Sequence, residues 1–481
     1  MDKVELKSRD LFESFGIGIE HREIYMKKRS GHLILWVLFL SFASEIVHGI
    51  LTHELGTSDY APFAVGEVVR GPIFILVVGY TFLKSRYQSN FILVFTLLSM
   101  SFWIGIQALF FQFTISEAIG TFMLGLRWLY LFFLLNYFLS YIRRNCISAD
   151  TIVSQVKWII LIFYCIPILL SAAGIAGYTV YGDASSRKGY AGFVMNSNVV
   201  ASTLVIMLPF FLKFERLRDV LIFFVYLGSA VLLGSKLTWI SFAGILGMWL
   251  VYRVILTIKH ILRRGLRIRR KTFTLLAFLV VIVIVLPFTP ITTKVVGIYT
   301  GLVNLYGFYV DGNAFGLQSN VVDVITSQRT RRVQQLLNWA VQPDNTLMLL
   351  IGGGLPNYKR LTGEVDWIDL TALFGLFGVV IFYSVILFLL FRVYKFHRSY
   401  YAEVLSMLIL TLMVSLVSGH TFITPVIGTT LAAVLGAFFG SPVVNTAHVQ
   451  LPSKVSTNQP EPIQQVNRGD RANQQTMGGN L

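Results

Sequence analysis

The chain has 481 residues, 55% of them hydrophobic and only 13% charged, with a formal net charge of +16. A soluble domain carries roughly 25% charged residues, so this composition excludes an ordinary soluble enzyme and describes an integral membrane protein. Its two cysteines, Cys146 and Cys165, are too few for a disulfide framework and form no metal motif.

In chain order, residues 1–31 are polar and precede the first apolar run, which therefore reads as a true transmembrane helix and not a cleavable leader. Runs of about 20 apolar residues predict about twelve spans, near 32–52, 64–83, 90–111, 118–141, 156–177, 193–212, 219–235, 237–257, 273–290, 366–391, 402–419 and 422–440. Most Lys and Arg fall on one side of these spans, with the densest block at Lys259 to Lys271. That asymmetry places the N-terminus in the cytoplasm. The basicity is mainly topological, and it does not point to nucleic acid. Residues 441–481, rich in Gln, Asn and Pro, read as a disordered cytoplasmic tail.

Ionisable groups at membrane depth are functional candidates. Glu45 and His48 lie three apart in the first span, and Arg127 lies in the fourth. They suggest a proton relay, a Glu45–Arg127 pair that holds helices together, or an arginine facing a substrate from inside the bundle.

Two outer loops stand out. The first carries Arg187 and Lys188, then Gly189 and Phe193, and enters the membrane through Asn196 and Asn198. The second is the polar stretch 291–365, which separates the helices of 32–290 from those of 366–440. Within it, 321–341 reads as an amphipathic helix, since Val333, Leu336, Leu337 and Ala340 follow the spacing of one face. Arg329 and Arg332 border that face, whereas Arg331 points to the side. Gly352, Gly353 and Gly354 then allow a tight turn; no Gly-Lys-Ser/Thr follows, so a P-loop is excluded. Glu364, Asp366 and Asp369 close the loop at the mouth of the next span, where carboxylates also suit a helix N-terminus. Tyr299, Tyr306, Tyr309, Trp339, Tyr358 and Trp367 read mostly as an interfacial belt, with Trp339 and Tyr358 the candidates for stacking on sugar.

These motifs, in this order, resemble the O-antigen ligase and polysaccharide polymerase family of bacterial inner membranes. Arg187-x-Gly189 with Phe193-x-x-Asn196 resembles one family segment, and Leu233-Gly234-Ser235-Lys236 resembles its Gly-Ser-Arg turn, with Lys in place of Arg. Arg332 followed by the glycine turn resembles the large periplasmic loop. Glu364-x-Asp366, Asp369-Leu370 and Gly375-x-x-Gly378 resemble the end of that loop. Ligases of the family tend to carry a histidine there, and none lies between Ile291 and Val365, so the polymerases are the nearer match.

The resemblance implies an all-α polytopic fold of the lipid-dependent, GT-C-like glycosyltransferase type, with a large, partly helical periplasmic loop. It implies transfer of an oligosaccharide from undecaprenyl diphosphate to an acceptor hydroxyl without metal, nucleotide or other cofactor, and a chain-length regulator protein as partner. On this reading Arg187 and Arg332 hold the diphosphate, with Lys188, Arg329 and Arg331 beside them. Glu364 or Asp366 accepts the acceptor's proton, while Asn196, Asn198, Lys236, Asp369 and Arg127 contact substrate. The alternatives are a ligase acting on lipid A core, and a lipid-linked oligosaccharide flippase or proton-coupled transporter.

Overall fold

The computed structural model describes residues 32–55, 65–84, 87–180, 189–194, 196–214, 216–245, 247, 296–297, 300, 329–342, 345–361, 365–395, 400–417 and 421–441. The expected tail, the span at 273–290, and Arg187, Lys188 and Glu364 lie outside them.

The described chain is mostly helical. It begins with α1 (His32–Leu55), α2 (Val65–Lys84), α3 (Tyr87–Phe111) and α4 (Ile115–Asn145). Next, α5 (Ala149–Ile160) runs through a π-helical turn (Leu161–Cys165) into α6 (Ile166–Ala172). A hairpin of β1 (Tyr178–Val180) and β2 (Gly189–Gly192) follows, then α7 (Ser197–Phe211) and α8 (Leu217–Leu232). The second half holds α9 (Arg329–Ala340), α10 (Thr346–Ile351), α11 (Gly354–Leu361), α12 (Asp366–Lys395), α13 (Tyr401–Val417) and α14 (Pro425–Gly440). Among the described residues five helical stretches are long and apolar enough to cross a membrane: His32–Glu54, Val94–Phe111, Ile115–Asn145, Ala149–Ala172 and Asp366–Lys395. Shorter apolar helices include α7, α13 and α14.

Local chemistry sets the ends of α4. Thr114 and Glu117 form a reciprocal capping box, with Thr114 N–H donating to Glu117 Oε2 at 2.8 Å and Glu117 N–H to Thr114 Oγ1 at 3.3 Å. Arg143 and Arg144 occupy the last turn, where the helix dipole favours cations, and Cys146 ends it in the left-handed region at φ 50°.

The core is organised by α14, which is buried along almost its whole length. Gly428, Ala432, Gly436 and Gly440 recur every four residues and form one flat stripe. Small residues at this spacing let two helix backbones approach closely in a membrane, where packing replaces the hydrophobic effect. The partner is α4: a Cβ at Gly436 would lie 2.8 Å from Phe138 Cβ, and one at Gly440 3.1 Å from Ile142 Cγ2. Gly436→Val is therefore expected to cost about 1–3 kcal/mol by overpacking, read as a lower unfolding temperature in detergent. Gly228→Ala is the control, since open space surrounds that position; it is expected to be neutral or to stabilise.

The hairpin seals the end of the bundle where α1 and α6 finish. Tyr178 stacks on His53 at 3.7 Å between ring centroids, and its hydroxyl donates to Glu54 Oε1 at 3.1 Å. Ser171 Oγ donates to the Tyr178 carbonyl at 3.0 Å. The strands pair antiparallel, Thr179 opposite Tyr190 and Val180 opposite Gly189. Residues 181–188, with Arg187 and Lys188, therefore connect two strands whose base is fixed.

Candidate functional site: a broken helix and a buried acid pair

The sequence predicts one continuous span from residue 366, but α12 is two helices joined at a break. Gly375 sits at φ 72°, ψ −175°, a conformation essentially restricted to glycine. A break frees backbone groups that a membrane interior cannot solvate, so it persists only where protein answers them. Here Gln107 Nε2 donates to the Leu373 carbonyl at 2.8 Å and to the Ile351 carbonyl at 2.6 Å. Trp103 Nε1 adds a bond to the Ile351 carbonyl at 3.0 Å, and Gly353 N–H donates to the Ala372 carbonyl at 3.0 Å.

The three-glycine turn is the other half of this joint. Gly352 (φ 80°) lies backbone to backbone against Gly375; a Cβ on Gly352 would meet Gly375 N at 2.6 Å. Gly354 (φ 61°) packs on the Phe113 ring and Thr121, whose hydroxyl accepts from Leu355 N–H at 2.9 Å. The turn therefore locks α10 and α11 onto both the start of α4 and the first half of α12.

That first half carries Asp366 and Asp369, both fully buried. Asp366 Oδ2 accepts from Thr421 N–H at 3.0 Å and Phe422 N–H at 3.2 Å, which ties α12 to the segment leading into α14. Asp366 Oδ1 is buried without a hydrogen-bond partner among the described residues. Helix α9 packs directly beside this pair: Leu336 and Trp339 form a cluster with Val365, which precedes Asp366, and Ile368, which precedes Asp369. The cationic helix and the acidic turn are thus one packed unit.

Several expectations about α9 are refined. The helix is described from Arg329, with 321–328 outside the described residues. Val333, Leu336 and Ala340 face inward as their spacing predicts, but Leu337 is 56% exposed and Trp339 only 6%. The buried stripe is rotated towards Trp339, because the large indole fills the space beside Val365. Trp339 is therefore core and no platform for sugar. Arg329 is half-buried on the same helix; the side chains of Arg331 and Arg332 lie outside those described.

The remaining candidates fall at the same end or in the middle of the bundle. Asn196 caps α7, its Oδ1 accepting from Asn198 N–H at 3.0 Å, with Asn196 exposed and Asn198 half-buried. At the far end of α7, Phe210 meets Tyr400 at 6.0 Å, at the start of α13. The start of α7 therefore lies where α13 finishes, towards Thr421 and Asp366. Lys236 is half-buried just after Gly234, which bends the chain at φ 69°. Arg127 is half-buried in α4, and its electrostatic neighbours are Tyr358 on α11 and Glu45 on α1.

Gln107 and Trp103, which hold the joint, fall in no motif of the sequence. A lone amide inside an apolar span was the available signal. Comparison with protein-family models and with curated proteins found no match for the chain.

Proposed function

We infer that the chain is a membrane glycosyltransferase of the polysaccharide polymerase type, joining oligosaccharide repeat units carried on undecaprenyl diphosphate. The observation that carries this reading is the packing of α9, the helix whose sequence carries Arg329, Arg331 and Arg332, against the Asp366–Asp369 turn through Leu336 and Trp339. This happens at the end of the bundle where the hairpin flanking Arg187 and the cap of α7 also lie. Arginines carried in the sequence of a helix that packs beside two carboxylates suit a reaction in which one substrate loses an anionic leaving group and the other loses a proton.

In that reaction the acceptor hydroxyl attacks the anomeric carbon of the donor. A new C–O bond forms as the bond to the lipid diphosphate breaks, and the diphosphate departs with the electron pair. Arg187 and Arg332, with Lys188, Arg329 and Arg331 nearby, neutralise that charge, since guanidinium binds phosphate oxygens bidentately and stays ionised. Asp366 is sealed and holds two backbone amides, which leaves the proton to Glu364. Twelve spans, a GT-C-like fold and a bacterial inner membrane with both termini cytoplasmic belong to the same proposal.

The test is incubation of the purified protein with lipid-linked repeat units, resolved by gel. A ladder is expected, with Arg187→Ala and Arg332→Ala each lowering the rate about 10²–10³-fold, the scale for one donor to developing charge. Transfer onto added lipid A core with no ladder would make it a ligase. A second class of activity, transport, is favoured by the break at Gly375, because substrate sites of transporters commonly form at discontinuous helices. Movement of substrate into vesicles without any joined product would select it.

A further inference from the structure

At the end of the bundle opposite Asp366, one face of α5, the end of α7, the start of α8 and Tyr400 line an open cavity of about 480 Å³. That size falls within the roughly 300–1,000 Å³ of ligand clefts. Among the described residues, four cations line it, Lys157, Lys213, Arg216 and Arg218, against two carboxylates, Asp150 and Asp219. Both carboxylates are engaged locally: Asp150 Oδ1 accepts from the Tyr400 hydroxyl at 2.6 Å, and Asp219 Oδ2 from the Arg216 backbone N–H at 2.9 Å. Two lysines are held in place over aromatic rings, Lys213 Nζ at 4.3 Å from the Tyr400 centroid and Lys157 Nζ at 5.1 Å from that of Phe211. Arg216 and Arg218 are exposed at the mouth of this cavity, whereas Arg143 and Arg144, equally exposed at the same end, are not part of its lining.

The walls leading from the cavity towards the middle of the bundle are apolar and exposed. Trp158, Ile162 and Ile166 recur every four residues on the α5–α6 segment, and Leu217, Leu221 and Val225 recur likewise on α8. The two segments pack on one another and both contribute to the cavity lining, through Trp158 and Leu161 on one and Ile222 on the other. Net positive charge in a cleft between transmembrane helices, opening onto apolar stripes, fits a lipid whose phosphate enters while its acyl chains lie outside.

We propose that this cavity binds the headgroup phosphate of an anionic membrane phospholipid. The site is separate from the glycan chemistry, and its binding does not depend on that reading. Arg216 and Arg218 grip the phosphate oxygens, Lys157 from α5 and Lys213 from the end of α7 supply field, and Trp158 lies along the upper acyl chain.

Native mass spectrometry of the full-length protein in detergent, titrated with phosphatidylglycerol or phosphatidylcholine of equal chain length, tests this. Phosphatidylglycerol is expected to be retained preferentially. Arg216→Gln/Arg218→Gln is expected to weaken its retention roughly 25-fold, the effect of removing two cations at about 1 kcal/mol each. Arg143→Gln/Arg144→Gln removes equal charge outside the cavity and is expected to leave retention unchanged. A brominated-chain phosphatidylglycerol should quench wild-type fluorescence more than that of Trp158→Phe, a readout that stands if the arginine variant fails to fold. Equal retention of the two lipids, equal loss in both arginine pairs, or no difference in quenching would overturn the proposal. Full competition by inorganic phosphate at low millimolar concentration would also overturn it, by making the site one for a soluble anion.

Discussion

Gly375→Ala is expected to cost roughly 2–6 kcal/mol, combining about 1–3 for backbone strain and about 1–3 for overpacking. The residue adopts a φ/ψ pair that side chains avoid, and a Cβ there would press on the Leu350 carbonyl and lie 2.5 Å from Gly352 N. Relief would require the glycine turn to withdraw, which would break the bonds from Gln107 and Gly353 as well. A loss of this size approaches the whole stability of many proteins, so the variant should aggregate on size-exclusion chromatography or unfold far below wild type. Gly105→Ala is the matched control, because it lies on α3 near Gln107 with open space around it. Equal stability of the two variants would show that the break does not hold the joint together.

The second large effect separates architecture from chemistry at Asp366. Asp366→Ala strands the Thr421 and Phe422 amides in a buried place, at about 1–3 kcal/mol for each unsatisfied donor. Asp366→Asn keeps an oxygen for both amides and is expected to fold, since the side chains have the same shape. If Glu364 is the base, Asp366→Asn should retain polymer synthesis within a few-fold, while Glu364→Gln should lose about 10²–10⁴-fold in rate. The in vitro ladder, measured at matched protein abundance, reads both. A folded Asp366→Asn protein that makes no polymer would transfer the base to Asp366, and its unpartnered Oδ1 would then be the atom concerned.

The sequence reveals some of these features and hides others for physical reasons. Apolar runs locate the membrane helices because burial in lipid demands about 20 such residues in a row. The inward positions Val333, Leu336 and Ala340 follow from helical period alone. Leu337 and Trp339 do not, because which flank of a stripe is covered depends on the shape of Val365 and Ile368 opposite. The break at Gly375 is hidden because a glycine in an apolar run barely changes its hydropathy, and only its contact with Gly352 reveals the need for it. Gln107 reaches carbonyls 244 and 266 positions away, a pairing without local trace. The acid pair is visible as charge beside a span, but its partner amides at 421 and 422 carry no side-chain signature.

The stripe of small residues on α14 has a consequence for how the protein is made. The helix that carries it, with α7 one of the two most enclosed of the described bundle, is also the last of them to leave the ribosome. Until it arrives, α1, α4, α5 and α7 must wait in the bilayer with the slot between them filled by lipid or collapsed. Assembly is then decided late, when a narrow, nearly featureless rod slides along α4 and displaces whatever occupied its place. A membrane quality-control protease that recognises loosely associated helices would meet its substrate in that interval, and a nascent chain interrupted before Pro425 would stay permanently in it.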